Sequence, residues 1–368
     1  HFSEKQNRAI DRFCATYDAI VICDHTSGYY GKYKLLPTLV QLQSDITSPF
    51  PPLDLMVHIG EISAASFNDT IPAKEVWRVS EDGELRDPFK KLTTVFQMSE
   101  EMFFLHYGKD GCNRHVLIDE CRELFGEIYE QIPELPFCNI WTAMQLSSRL
   151  PKRALFHMGV SNTRRCWNMF QLPESVESAC NVGCCGIDGC VSTLVGASLV
   201  NPDRLCYVVV GDLTFFYDLN SLGNHHIGTN LRVMLVNNGR GTEFRLGIHH
   251  CNVFGDDADK YMAAAGHFGN KSPLLVKHYA EDLGFHYLSA TTKEEFMTAL
   301  SNFTNPQLSD HSMILEVFTD SKDESEALYL MSHIQSDAKG MVRSKLKDAV
   351  RNVAGEKGIN AIKKILKK

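Results

Sequence analysis

Apolar positions come in two rhythms along the chain. Short, mainly apolar runs, at residues 18–23, 53–60, 205–210, 231–236 and 313–318, read as strands, those at 53–60, 205–210 and 231–236 as buried ones. Between them lie stretches with helical spacing, at 35–43, 100–106, 113–130, 137–150, 191–199, 274–283, 294–300 and 324–333. Shorter strands are predicted at 75–80 and 92–97, around a turn at 81–88, and at 154–159 and 285–289. Strand alternating with helix predicts an α/β fold with two doubly wound parallel-sheet domains. The expected boundaries are residues 1–150, then 151–336, then a basic helical tail over 337–368.

Two of the apolar strands end in groups that can hold a hard cation. The run at 205–210 stops at Gly211-Asp212, and the run at 231–236 stops at Asn237-Asn238-Gly239. Open α/β sheets bind ligands at the carboxyl ends of their strands. A carboxylate and an amide oxygen on neighbouring ends suit Mg²⁺, which commonly bridges a protein to phosphates. A turn-prone connection and a short helix are expected between them.

A second stretch, residues 181–193, carries Gly183, Gly186 and Gly189 into an apolar helix. Glycine there permits positive φ and close approach of a ligand to backbone. The spacing is not that of a dinucleotide fingerprint, which leaves a nicotinamide oxidoreductase as a weak rival. Cys184, Cys185 and Cys190 lack paired metal-ligand spacing and read as small fillers. His25 and His58 are candidates for polar contacts, but each reads rather as a satisfied packing histidine.

GDLTFFYDLN followed by VNNGRG resembles the diphosphate signature of thiamine diphosphate (ThDP) enzymes, and within them the SEPHCHC synthases of menaquinone biosynthesis. DLMVHIGEIS and the segment from VWRVSEDG to VFQMS resemble that family's middle domain, and NVGCCGIDG its SxRGxSGIDG segment. The resemblance implies a transferase or lyase that decarboxylates a 2-oxo acid such as 2-oxoglutarate and adds it to an acceptor such as isochorismate. It implies ThDP and Mg²⁺, with Asp212, Asn238 and the Arg240 carbonyl as metal ligands. Gly183, Gly186, Gly211, Asp212, Leu213, Thr214 and Asn238 would bind cofactor. Ile187 would support the bent cofactor, and Asn162, Thr163, Phe244 and Arg245 would meet substrate.

Two departures qualify that picture. The resemblance implies an N-terminal pyrimidine-binding domain, carrying the catalytic Glu, which is not found in these 368 residues. The chain alone is therefore expected to be inactive, with that domain as partner in the same gene product or a separate chain. The arginines expected to clamp substrate carboxylates fall at Val182 and Trp167, with Arg164 and Arg165 nearby and Thr163 in place of a Ser. An altered substrate is the expectation, and a noncatalytic ThDP-binding module is the alternative.

Composition adds little more. An apolar fraction of 44% supports sizeable cores. The net charge is −8, yet residues 339–368 hold ten Lys or Arg against two acids, so the body is more acidic still and no nucleic-acid binder. Twelve scattered cysteines suggest a reducing cytoplasm. No apolar run is long enough for a membrane span. The family's active sites lie between subunits, which implies a homodimer or homotetramer. The basic tail is read as a helix docked on the acidic body or on a neighbouring subunit.

Overall fold

In the computed structural model, residues 2–46, 50–60, 71–183, 185–246, 249–257 and 271–335 are described. The expected basic tail, Cys184 and the segment 258–270 lie outside them. Every strand pair among the described residues is parallel.

Six strands form the main sheet: β6 (Leu155–Met158), β7 (Glu177–Cys180), β8 (Cys206–Gly211), β9 (Leu231–Asn237), β10 (His286–Ala290) and β11 (Met313–Phe318). Their order is β10-β11-β9-β8-β6-β7. β8, β9 and β11 are the largely apolar runs, broken only by Arg232 in β9 and Glu316 in β11, and they lie inside the sheet where both faces are covered.

Alternation sorts their side chains between the two faces. Val208, Val210, Val233, Leu235 and Ile314 belong to one cluster, together with Val191 and Leu194 of helix α7 (Cys190–Val200) and Val276 of α9 (Leu275–Asp282). Val209, Met234, Val236, Leu315 and Val317 face the other way. That second core takes in Trp141 of α5 (Asn139–Leu146), Phe296 of α10 (Lys293–Phe303) and Met331 of α11 (Ser321–Met331). Full burial of each such side chain contributes about 1.5–3 kcal/mol.

The same core continues into the N-terminal half. It includes Ile10 and Cys14 of α1 (Glu4–Tyr17), Phe103 of α3 (Glu100–Tyr107) and Phe125 of α4 (Val116–Glu130). Two small sheets lie in this half. One pairs β1 (Val21–Ile22) with β2 (Lys34–Leu35), and the other orders β3 (Leu53–Ile59), β4 (Ala73–Ser80) and β5 (Leu92–Gln97) consecutively.

Several expectations need correcting. The strand expected at 18–23 shrinks to two residues because Asp18 is the left-handed C-cap of α1, at φ 54°. The helix expected over 35–43 is only α2 (Thr38–Leu42), since Lys34 and Leu35 pair in a sheet and Pro37 occupies the cap. The turn at 81–88 joins parallel strands, so the connection crosses over instead of folding back as a hairpin. α1 and β7 were not predicted. α1 carries a readable signal, a capping box between Ser3 and Gln6. The four residues of β7 carry none.

Candidate functional site

The sheet order fixes where a site can lie. From β6 the chain steps outward to β7, then returns to the other side of β6 for β8 and moves on to β9. Strand order therefore reverses between β6 and β8, the switch point at which open α/β sheets leave a crevice outside their carboxyl ends. Register aligns those ends. Met158 stands opposite both Cys180 and Val209, Gly211 opposite Val236, and Asn237 opposite Phe318.

The predicted site residues lie at or just after these ends, Gly211 being the last residue of β8. Asn162 and Thr163 follow β6, Gly183, Gly186 and Ile187 follow β7, Asp212 to Thr214 follow β8, and Asn238, Arg240, Phe244 and Arg245 follow β9. By contrast, a cleft of about 490 Å³ lined by Lys32, Lys34, Arg122 and Val176 contains none of them. It opens beside the segment that leads into β7, away from the strands' carboxyl ends.

The short helix expected after β8 is present and starts without an intervening turn: Asp212 is the first residue of α8 (Asp212–Tyr217). Its side chain is buried, and Oδ1 accepts the Leu213 N–H at 2.8 Å. Leu213 and Thr214 are buried in the same turn of helix. Gly211 just before it has open space where a Cβ would stand, as does Gly183.

On β9 the two asparagines divide their roles. Asn237 is buried, and its amide donates to Glu316 Oε1 at 2.7 Å, while the Tyr287 hydroxyl donates to Oε2 at 2.8 Å. Burial pushes the Glu316 carboxyl up, against the two hydrogen bonds. Asn238 is half-buried, and its Oδ1 accepts the Arg240 N–H at 3.3 Å.

Gly189 takes φ +78° and precedes α7, whose Ser192 N–H donates to Asp218 Oδ2 at 2.6 Å. An acid that follows α8 thus satisfies one of the open N–H groups at the start of α7. Ile187 is half-buried, Cys185 exposed and Cys190 buried.

After β6, Ser161 takes φ 58° and ψ −121°, a costly conformation for a residue with a Cβ, and it starts helix α6 (Asn162–Trp167). Arg164 of α6 faces Asp24 at 3.5 Å. Arg165 forms a two-pronged pair with Glu243, Nη1 to Oε2 at 2.9 Å and Nη2 to Oε1 at 2.6 Å. Burial acts to lower the Arg165 pKa, and Glu243 outweighs it, so the net shift is upward. Trp167 is fully buried against Phe156, ring centroids 4.9 Å apart, and donates to Asn139 Oδ1 at 3.3 Å. It is a core residue.

Beyond β9, Thr242–Arg245 forms one 3-10 turn. The Phe244 ring meets His249 edge-on at 5.2 Å, and Arg245 donates to the Gly255 carbonyl.

Sequence reasoning missed Glu324. It accepts hydrogen bonds from the Asn139 N–H at 2.9 Å, the Thr319 hydroxyl at 3.0 Å and the Asn162 amide at 3.5 Å. It resembles any acid in a helix's first turn, so no local signal marks it. Glu316 was missed as well, although its signal was there: an acid inside the apolar strand MILEVF must find partners.

Asp212 and Asn238 follow adjoining strand ends, and a carboxylate and an amide oxygen are groups that suit a hard cation such as Mg²⁺. Among the described residues no three His, Cys, Asp or Glu cluster as a metal site. A set with a single acid does not require such a cluster. The open backbone at Gly211 and Gly183 leaves room for a group lying against it.

No known family profile matches the chain. It is 33% identical over 263 residues to a 2-succinyl-5-enolpyruvyl-6-hydroxy-3-cyclohexene-1-carboxylate (SEPHCHC) synthase of Bacteroides fragilis, covering 70% of the chain and 45% of that protein. The enzyme of the same name in Phocaeicola vulgatus is 32% identical over 265 residues, 70% of the chain and 44% of the protein. That of Christiangramia forsetii is 33% identical over 199 residues, 54% and 33% respectively. The chain thus spans a little under half the length of the first two.

Proposed function

We infer that this chain, a relative of the SEPHCHC synthases over 70% of its length, carries the diphosphate- and Mg²⁺-binding half of a ThDP site at the β6/β8 switch point. Residues 1–150 form the structural unit beside it and residues 151–336 the binding unit. The observation that supports this most strongly is the placing of Asp212 and Asn238 on adjoining strand ends, β8 and β9.

Asp212, the Asn238 side-chain oxygen and the Arg240 carbonyl would hold Mg²⁺, and Gly183, Gly186, Gly211, Leu213 and Thr214 would line the diphosphate. Burial of Asp212 takes its charge out of water, which strengthens its hold on a cation. Glu316 fixes the neighbouring Asn237 and so steadies the end of β9. Ile187 presents a branched apolar side chain as the support for a bent cofactor. ThDP, when bound, supplies the electron sink for decarboxylating a 2-oxo acid. Asn162, Thr163, Phe244 and Arg245 bound the substrate side, and Arg165 supplies the guanidinium that Val182 and Trp167 lack.

The whole protein's activity follows as part of this reading: a Mg²⁺- and ThDP-dependent carboligase acting on a 2-oxo acid, cytoplasmic and at least homodimeric. Calorimetric titration of ThDP with and without Mg²⁺, beside Asp212→Ala, tests it. Mg²⁺-dependent binding that disappears in the variant is the expected result. Binding of equal strength in Asp212→Ala sinks the metal assignment.

A further inference from the structure

Arg165 and Glu243 belong to loops that follow different strands. Arg165 lies in α6 after β6, and Glu243 in the 3-10 turn after β9. In the sheet, β8 runs between these two strands. Their ion pair therefore bridges the two loops that flank the end of β8, where Asp212 stands. The pair is well withdrawn from water, with side chains 23% and 19% exposed. Both prongs are short, and Nη1 also lies 3.5 Å from Asn162 Oδ1.

A guanidinium drawn out of water is stabilised by an anion, and two parallel N–H···O bonds are the geometry in which arginine frequently binds a carboxylate. Here the carboxylate is internal. It fills the fork that an acid-bearing ligand at this edge would use.

We propose that Glu243 is an internal plug: it occupies the Arg165 fork in the free protein, and a small carboxylic acid enters only by exchanging with it. This rests on reading the edge as the substrate side of the cofactor site. Glu243 then sets selectivity. It weakens acids that gain nothing beyond the fork and leaves uncharged ligands unaffected, because these have no use for the guanidinium. Removing the plug leaves Arg165 buried and short of an anion, so the affinity for carboxylates should rise.

Titrate glutarate, and separately its uncharged diamide glutaramide, into the chain and into Glu243→Gln in the presence of ThDP and Mg²⁺. Glu243→Gln should bind glutarate about tenfold more tightly, the worth of a charged hydrogen bond made available. Its affinity for glutaramide should not change. Adding Arg165→Gln should abolish the gain. Glu243→Asp, which keeps the charge on a shorter arm, should fall between and serves as a second probe if the Gln variant folds poorly.

Damage to the fold would not create a gain selective for the charged ligand. Equal glutarate affinity with and without Glu243, an equal gain for the diamide, or no glutarate binding by any variant overturns the plug. ThDP binding measured in the same samples keeps the two readings apart. If ThDP binds and glutarate affinity does not change, only the plug fails; if ThDP does not bind, the cofactor reading fails.

Discussion

The amide of Asn162 and the carboxylate of Glu324 meet at 3.5 Å across 162 residues of sequence, tying the segment after β6 to the last described helix. Burial pushes the Glu324 carboxyl up to about 7, against the hydrogen bonds from Asn139, Thr319 and Asn162. Its folded pKa lies above the ordinary 4.5, so the native state holds the proton more tightly than the unfolded chain between the two values. That contribution is fully present below pH 4.5 and is lost as pH rises to about 7. Glu324→Gln removes the titration. The stability difference between wild type and variant should shift by on the order of 2–3 kcal/mol across this window, with the variant gaining as pH rises. Denaturant melts at several pH values check it, and a difference that does not vary with pH contradicts it.

His25 runs the opposite way. Burial, and then Lys34, push it down to about 3. Its Nε2 lies 2.8 Å from the Phe170 carbonyl, and its backbone N–H donates to Asn168. The folded pKa lies below the ordinary 6.5, so this contribution is intact above pH 6.5 and is lost as pH falls toward 3. His25→Gln should be less stable than wild type at neutral pH, and its melting temperature should fall less steeply on acidification.

The two asparagines at the end of β9 should separate in the same assays. Asn237→Ala leaves Glu316 short of a buried partner and should cost about 1–3 kcal/mol of stability. Asn238→Ala removes a half-buried side chain and should change stability by about 0.5 kcal/mol or less. Its Mg²⁺-dependent ThDP affinity should nevertheless fall about ten- to a hundredfold. Full retention of that affinity would remove Asn238 from the ligand set.

Two glycines of the segment after β7 should respond with opposite signs to the same change. Gly189 sits at φ +78° with only ordinary contacts around a new Cβ, so Gly189→Ala should destabilise by about 1 kcal/mol through backbone strain alone. Gly196 lies within α7 with open space at its Cβ position, and Gly196→Ala should stabilise by roughly 0.5–1 kcal/mol. Thermal melts of the pair decide it.

Strands dominated by apolar residues were legible: β11 was predicted with the bounds it has, Met313–Phe318, and β8 and β9 to within one residue at either end. Burial on both faces leaves a signal that needs no knowledge of neighbours. The N-terminal half was read less well. β1 and β2 are held by two pairings, which no local pattern encodes, and the capping box that starts α1 was overlooked.

The sequence by itself determined the parallel-strand architecture and the acid and amide that end β8 and β9, because strand runs and strand ends are local features. Only the tertiary structure decided how the charges near that edge are matched. Arg164 pairs with Asp24 across 140 residues and Arg165 with Glu243 across 78, and Glu324 is buried in contact with Asn162. An arginine in sequence is a donor awaiting any acid. Which acid it meets, and whether a ligand must displace it, depends on packing that brings distant strand ends together and removes them from water.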